Sequence, residues 1–169
     1  PEYYYDKDNG RKVTKAGFVK DNRGLTYYLD EKGNKVLGLH EINGDLYYFR
    51  RGGAYKYTQL GDMWQDSINY IDGKIYYFGH DGRAIKNRFY QWGNYWYYFY
   101  ADGSAATGAV QINGQQLYFD KNHGRQVKGA FAPDGHYYDE NSGELVTNQT
   151  RTIKGVTYHF DENGNATKV

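Results

Sequence analysis

One pattern, a short aromatic run closed by a polar turn and a glycine, returns along the whole chain at nearly constant spacing. The runs are Tyr3-Tyr4-Tyr5, Tyr27-Tyr28-Leu29, Tyr47-Tyr48-Phe49, Tyr76-Tyr77-Phe78, Tyr97-Tyr98-Phe99, Leu117-Tyr118-Phe119, His136-Tyr137-Tyr138 and Tyr158-His159-Phe160. Their turn glycines are read as Gly10, Gly33, Gly53, Gly82, Gly103, Gly124, Gly143 and Gly164, spaced 23, 20, 29, 21, 21, 19 and 21 residues apart. A fixed period of this length is the mark of a repeat architecture, in which each unit is too short to hide its own apolar side and buries it against its neighbours. The expectation is one array over residues 1–169 with about eight units, a fragment of a longer one. The single long spacing places an irregular insertion at 54–72.

Each run is rich in strand-favouring rings. It is preceded by N-G, D-G or K-G (Gly44, Gly73, Gly114, Gly135, Gly155) and followed by an Asp, Asn and Gly turn, the punctuation of hairpins. Three residues beyond most turn glycines comes a small or apolar residue (Val13, Val36, Ile85, Ala106, Val127, Val146), which suits a short further strand. Two residues later stand Gly38, Gly108 and Gly129, or Asn87 and Asn148, residues that tolerate a left-handed backbone. No convincing helical period occurs, although Gln59 to Asn69 could form one turn. The fold class expected is all-β, a repetitive β-hairpin solenoid of about 20-residue units.

Twenty-one Tyr and few aliphatic residues predict a thin, ring-rich buried layer. With 21 Lys and Arg against 20 Asp and Glu and no run of like charge, neither nucleic acid nor a membrane surface is a suggested partner. No apolar stretch reaches the ~18 residues of a membrane span. The absence of Cys excludes disulfides and Cys-based zinc sites.

No constellation pairs a nucleophile with a base. Asp6, Asp30, Asp81, Asp102, Asp120, Asp139 and Asp161 recur because the turn recurs, since Asp is favoured there for local bonding. Asp6-Lys7-Asp8-Asn9-Gly10 resembles the start of a calcium loop but lacks the distal Glu and reads as a turn. Neither an enzyme nor a cofactor is expected.

Alternation along a strand puts the first and third residues of each run on one face and the middle residue on the other. The middle set is Tyr4, Tyr28, Tyr48, Tyr77, Tyr98, Tyr118, Tyr137 and His159. One reading packs these rings on the next hairpin; the other lets some line clefts where a ring stacks on the C–H face of a sugar and nearby amides or cations bond its hydroxyls. Trp96, Tyr98 and Tyr100 share one strand face, with Gln91 and Trp92 just upstream.

The elements Y-Y-F-x-x-D-G, N-G-Q-Q-L-Y-F-D and G-R-Q-V-K-G resemble the glucan-binding repeats of bacterial glucansucrases and streptococcal glucan-binding proteins, over essentially the whole chain. Residues 111 to 129 look like a full copy. The resemblance implies secretion to the outside or the cell surface, no catalysis within the repeats, and pockets for α-glucans such as dextran. In those pockets a Tyr stacks while Gln and Lys bond hydroxyls, which carries over to Tyr118, Gln126 and Lys128. Tyr137 of the next unit is expected to assist, with Trp92, Trp96 and Tyr98 as the alternative site. Other copies have Lys12 and Thr14, Lys35 and Leu37, or Ala84 and Lys86 instead, so one pocket matches in full. Choline-binding modules and the repetitive tails of clostridial toxins are also similar. Where choline-binding modules read G-W, this chain has Gly17-Phe18, Gly38-Leu39, Gly108-Ala109 and Gly129-Ala130, so a choline cage lacks its first wall. A structural spacer or docking surface is the remaining alternative.

Overall fold

The computed structural model describes residues 4–6, 9–13, 15–52 and 60–169. Tyr3, Asp8, Thr14, Gly53 and Gln59, and with them residues 54–59 of the expected insertion, lie outside the described residues. The chain divides into two compact units, Pro1–Lys86 and Asn87–Val169. Among the described residues there is no helix.

The first unit holds three antiparallel hairpins, β1 (Gly17–Lys20) with β2 (Thr26–Leu29), β3 (Gly38–Ile42) with β4 (Asp45–Phe49), and β5 (Ser67–Ile71) with β6 (Lys74–Phe78). The second holds β7 (Arg88–Trp92) with β8 (Tyr95–Phe99), β9 (Gly108–Ile112) with β10 (Gln115–Phe119), β11 (Ala130–Phe131) with β12 (Tyr137–Tyr138), and a three-stranded sheet of β13 (Gln149–Ile153), β14 (Val156–Phe160) and β15 (Ala166–Lys168). Two-residue turns join most of these pairs. Asn43-Gly44 and Asn113-Gly114 have positive φ at both positions, the turn whose twist matches that of the strands it joins.

After each hairpin the chain turns on the Asp or its equivalent and runs back along the second strand. In all seven Asp turns the carboxylate accepts backbone N–H bonds from its own loop, as Asp30 does from Lys32 and Asn34 and Asp139 from Asn141 and Ser142. The acids are turn-formers, as expected. Gly38, Asn87, Gly108, Gly129 and Asn148 all take the left-handed backbone required for entry to the next hairpin, and Asp66 does the same.

The returning segment is what stitches hairpins together. Two successive amides in it bond in opposite directions. Gln126 N–H donates to the Trp96 carbonyl of the preceding hairpin, and Val127 N–H to the Tyr118 carbonyl of its own. Leu145 and Val146 repeat this toward Gln116 and Tyr137, Met63 and Trp64 toward Thr26 and Tyr48, and Ala84 and Ile85 toward Leu46 and Tyr77.

One expectation changes here. Met63 and Trp64 occupy the ordinary returning segment, and the turn glycine of that unit is Gly61, whose N–H bonds the Arg50 carbonyl as Gly33 bonds Asp30. Residues 62–72 are therefore regular, with Ser67–Ile71 a strand and not a helical turn.

The faces follow the reading in which the middle rings pack on the next hairpin. Middle residues pack on the following hairpin: Tyr48 clusters with Ile71, Tyr76 and Phe78, Tyr98 with Ile112, Leu117 and Phe119, and Tyr137 with Val146, Ile153 and Phe160. Third residues of the runs from Leu29 to Phe160 are sealed in the adjoining layers, whereas Tyr5 is exposed, and most middle Tyr are scaffold.

The turn carboxylates make folding acid-sensitive. N–H donors from Ser142 and Asn141 hold the Asp139 carboxyl at about 2, and the Asn34 and Asn165 N–H groups lower Asp30 and Asp161. A group with a depressed folded pKa binds its proton more weakly folded than unfolded. Its contribution is thus complete above about pH 4, the unfolded value, and drains as pH falls toward the folded one. Thermal melts followed by circular dichroism should give a flat midpoint from pH 7 to about 4 and a fall between about 4 and 2; a midpoint that holds or rises in that window would refute this role.

Candidate carbohydrate-binding site

The β7–β8 hairpin gathers several large exposed rings, where β1, β5 and β11 each leave one, Phe18, Tyr70 and Phe131. Trp92 and Tyr95 flank its turn at Gly93-Asn94, and with Trp96 and Tyr100 they are exposed, Trp96 to 37%. The physical reason lies in residue choice. At this hairpin end Tyr95 stands where others carry Asp45, Lys74 or Gln115, Trp96 where they carry Leu46, Ile75 or Gln116, and Trp92 where they carry Ile42, Ile71 or Ile112.

The returning segment of the next unit lies along this hairpin through the bond from Gln126 to the Trp96 carbonyl. Its side chains fall on both sides of β8. Lys128 Nζ stands 5.4 Å from the centre of the Trp96 ring, and the Arg125 guanidinium 4.2 Å from that of Tyr95, distances at which a cation is drawn to a ring face. The Tyr97 hydroxyl, bonded to Arg125, holds that guanidinium above its ordinary pKa. The Gln126 amide rests on Gly143, and Lys128 Nζ reaches the Asn141 carbonyl at 3.4 Å. An exposed indole, an amide and a cation thus meet on one surface.

Of the residues named from sequence, Trp96, Gln126 and Lys128 come together, which merges what were two separate candidate sites. Tyr98 lies on the same strand face, half-buried between Phe89 at 4.8 Å and Tyr100 at 5.7 Å. Trp92 is on the opposite face of that hairpin, exposed. Tyr118 differs from expectation. It is 2% exposed, enclosed with Ala132 and Tyr138 and flanked by Val127 and Leu145, so its ring is covered by the next hairpin and supports the surface from beneath. Tyr137 is likewise buried, under the last sheet. Tyr95 and Arg125 are additions. Nothing local singles them out, because their meeting depends on a bond between segments 30 residues apart.

Hairpins stitched in this way, ending in a surface of rings, amides and cations, define a carbohydrate-binding repeat domain. The choline-binding repeat family matches residues 106–149, and the cell wall binding repeat family matches 16–35, 87–105 and 151–166. Over the matched residues the chain is similar to these repeats. It is 37% identical over 96% of its length to glucosyltransferase-S of Streptococcus mutans serotype c and 38% identical over 94% to glucosyltransferase-I of Streptococcus downei, and it spans 11% and 10% of those relatives. Among solved structures it is similar to choline binding protein F of Streptococcus pneumoniae, with a TM-score of 0.76 and 28% identity over 98% of this chain and 54% of that one. CbpJ of the same species gives 0.74 and 26%, over 98% and 57%.

Proposed function

We propose that the chain binds α-glucan outside the cell, as a noncatalytic module of a secreted or surface-held protein, with Trp96 as the stacking platform and Gln126 and Lys128 bonding sugar hydroxyls. The observation that carries this is the convergence of the exposed Trp96 indole with Lys128 at 5.4 Å and Gln126 on its carbonyl. A sugar ring offers an apolar C–H face to an indole and a hydroxyl rim to an amide and a cation, and it needs no net charge from the protein. Similarity to glucosyltransferases supports glucan as the sugar. Tyr98 extends the surface and Tyr118 packs beneath the returning segment, while Trp92 on the opposite face and Tyr137 under the last sheet stand apart from it.

One such contact binds weakly, and retention on polymer would come from several sites on one strand, a gain of roughly a hundredfold or more. Calorimetry with isomaltotetraose tests the reading. Trp96→Ala should weaken binding at least about tenfold, or about 1.4 kcal/mol, and Gln126→Ala or Lys128→Ala by about 1–3 kcal/mol for each partner left unpaired, all with unchanged circular dichroism. Parent-like affinity in Trp96→Ala moves the site elsewhere.

A quaternary ammonium is the second reading, favoured by two three-ring groups. Phe18 lies 4.9 Å from Tyr28 and 5.2 Å from Tyr47, and Phe131 lies 5.2 Å from Tyr137 and 5.3 Å from Tyr158. Phe18 and Phe131 thus supply an aromatic wall at or beside two of the positions where a choline cage was expected to lack one. At those spacings the rings contact one another edge to face, and cavities of about 420 and 380 Å³ open beside the two groups. Saturable uptake of choline in the same calorimeter would favour this reading over glucan.

A further inference from the structure

In the first unit the turn after β4 reverses the usual chemistry. Elsewhere an Asp, either at the turn's first position as Asp30 or two residues beyond it as Asp81 and Asp102, bonds its own loop; here Arg50 stands first, and the acid is across the turn as Asp62. The backbone frame is the same, with Arg50 N–H on the Asp62 carbonyl at 3.0 Å where Asp30 N–H meets Asn34 at 2.8 Å. The side chains form an ion pair, Arg50 Nη2 to Asp62 Oδ2 at 2.8 Å, with the Asp62 side chain only 7% exposed.

This pair is incomplete. Asp62 Oδ1 and Arg50 Nε are both buried without a hydrogen-bond partner. Both residues line a cavity of about 390 Å³, together with Thr26, Trp64, Gln65 and Ser67. Trp64 is backed by Tyr48, ring centres 4.2 Å apart, which sets an indole beside the polar pair. The cavity shares Thr26, Met63 and Gln65 with a second one of about 420 Å³ that ends at Phe18 and Tyr47, so the two adjoin. The family matches leave out residues 36–86, where Arg50, Asp62 and Trp64 lie.

We propose that this groove is a second glycan site, separate from Trp96, in which one sugar hydroxyl donates to Asp62 Oδ1 and accepts from Arg50 Nε while Trp64 meets the ring. The open pair selects the ligand class. An anion would face Asp62 and a cation would face Arg50, whereas a hydroxyl both donates and accepts and adds no charge to a compensated pair. An uncharged oligosaccharide with neighbouring hydroxyls fits the two adjoining cavities. The inference shares its ligand class with the function proposed above but none of its residues.

The chain has three Trp, so the indole N–H region of a ¹⁵N–¹H spectrum reads Trp64 and Trp96 separately. Titration of the full chain with isomaltotetraose should move both signals. Asp62→Asn should abolish the Trp64 response or weaken it at least tenfold and leave that of Trp96. Gln65→Ala, at an exposed position away from the ion pair, should weaken it several-fold and decides the matter if Asp62→Asn does not fold. A Trp64 signal that stays still while Trp96 saturates overturns the groove alone, as does an unaltered Trp64 response in Gln65→Ala. Silence at both indoles overturns the groove together with the general glycan reading.

Discussion

Phe119→Ala should cost about 3–5 kcal/mol, the usual range for emptying a buried Phe site. Phe119 is fully buried, packed with Ala106, Ile112 and Leu117 and bordered by Phe89 and Tyr98 of the preceding hairpin. Its backbone pairs with Gly108 on one side and Gln126 on the other. The ring therefore holds a hairpin, its neighbour and the returning segment at once, and the cavity left by alanine cannot be filled by any one of them. Since stability of a whole domain is about 5–15 kcal/mol and repeats draw it mainly from their neighbours, the second unit should melt well below the parent. Urea titration by near-ultraviolet circular dichroism measures this. A loss under about 1 kcal/mol would mean that the interhairpin layers contribute less than their burial implies.

Gly143→Ala should lower both stability and glycan binding, whereas Gly114→Ala should lower stability alone. Both glycines have left-handed backbones, φ 74° and 80°, which cost an L-residue about 1–2 kcal/mol. A Cβ on Gly114 would meet nothing within 4 Å, so its substitution isolates that backbone cost. A Cβ on Gly143 would lie 2.3 Å from Gln126 Nε2 and 3.2 Å from its Cδ. Gln126 has a flexible chain and can swing aside at little further cost in stability, but its amide then leaves the Trp96 surface. Affinity for isomaltotetraose should fall by as much as Gln126→Ala, about 1–3 kcal/mol, in Gly143→Ala only. Equal affinities in the two glycine variants would remove Gln126 from the site.

The same contact explains why the turn glycines recur. Met63 crosses Gly82, Leu145 crosses Gly164 and Gln126 crosses Gly143, so these three turns are seats for a side chain of the preceding unit as well as tight bends.

What the sequence by itself determined was everything set by neighbours along the chain. The period, the N-G turns, the Asp carboxylates closing their own loops and the left-handed Gly38, Asn87, Gly108, Gly129 and Asn148 all follow from interactions within a few residues. The tertiary structure decided what depends on pairing across units. A Tyr that is apolar at its ring and polar at its tip gives the same alternating pattern whether its face is open or covered, so the burial of Tyr118 was not legible. Gly61 replaces Gly53 because a backbone bond to Arg50, not spacing, defines the turn. Trp96 meets Gln126 and Lys128 for the same reason. The returning segment bonds the hairpin before its own, and that choice of partner is made by strand edges in space, where no local residue signal reaches.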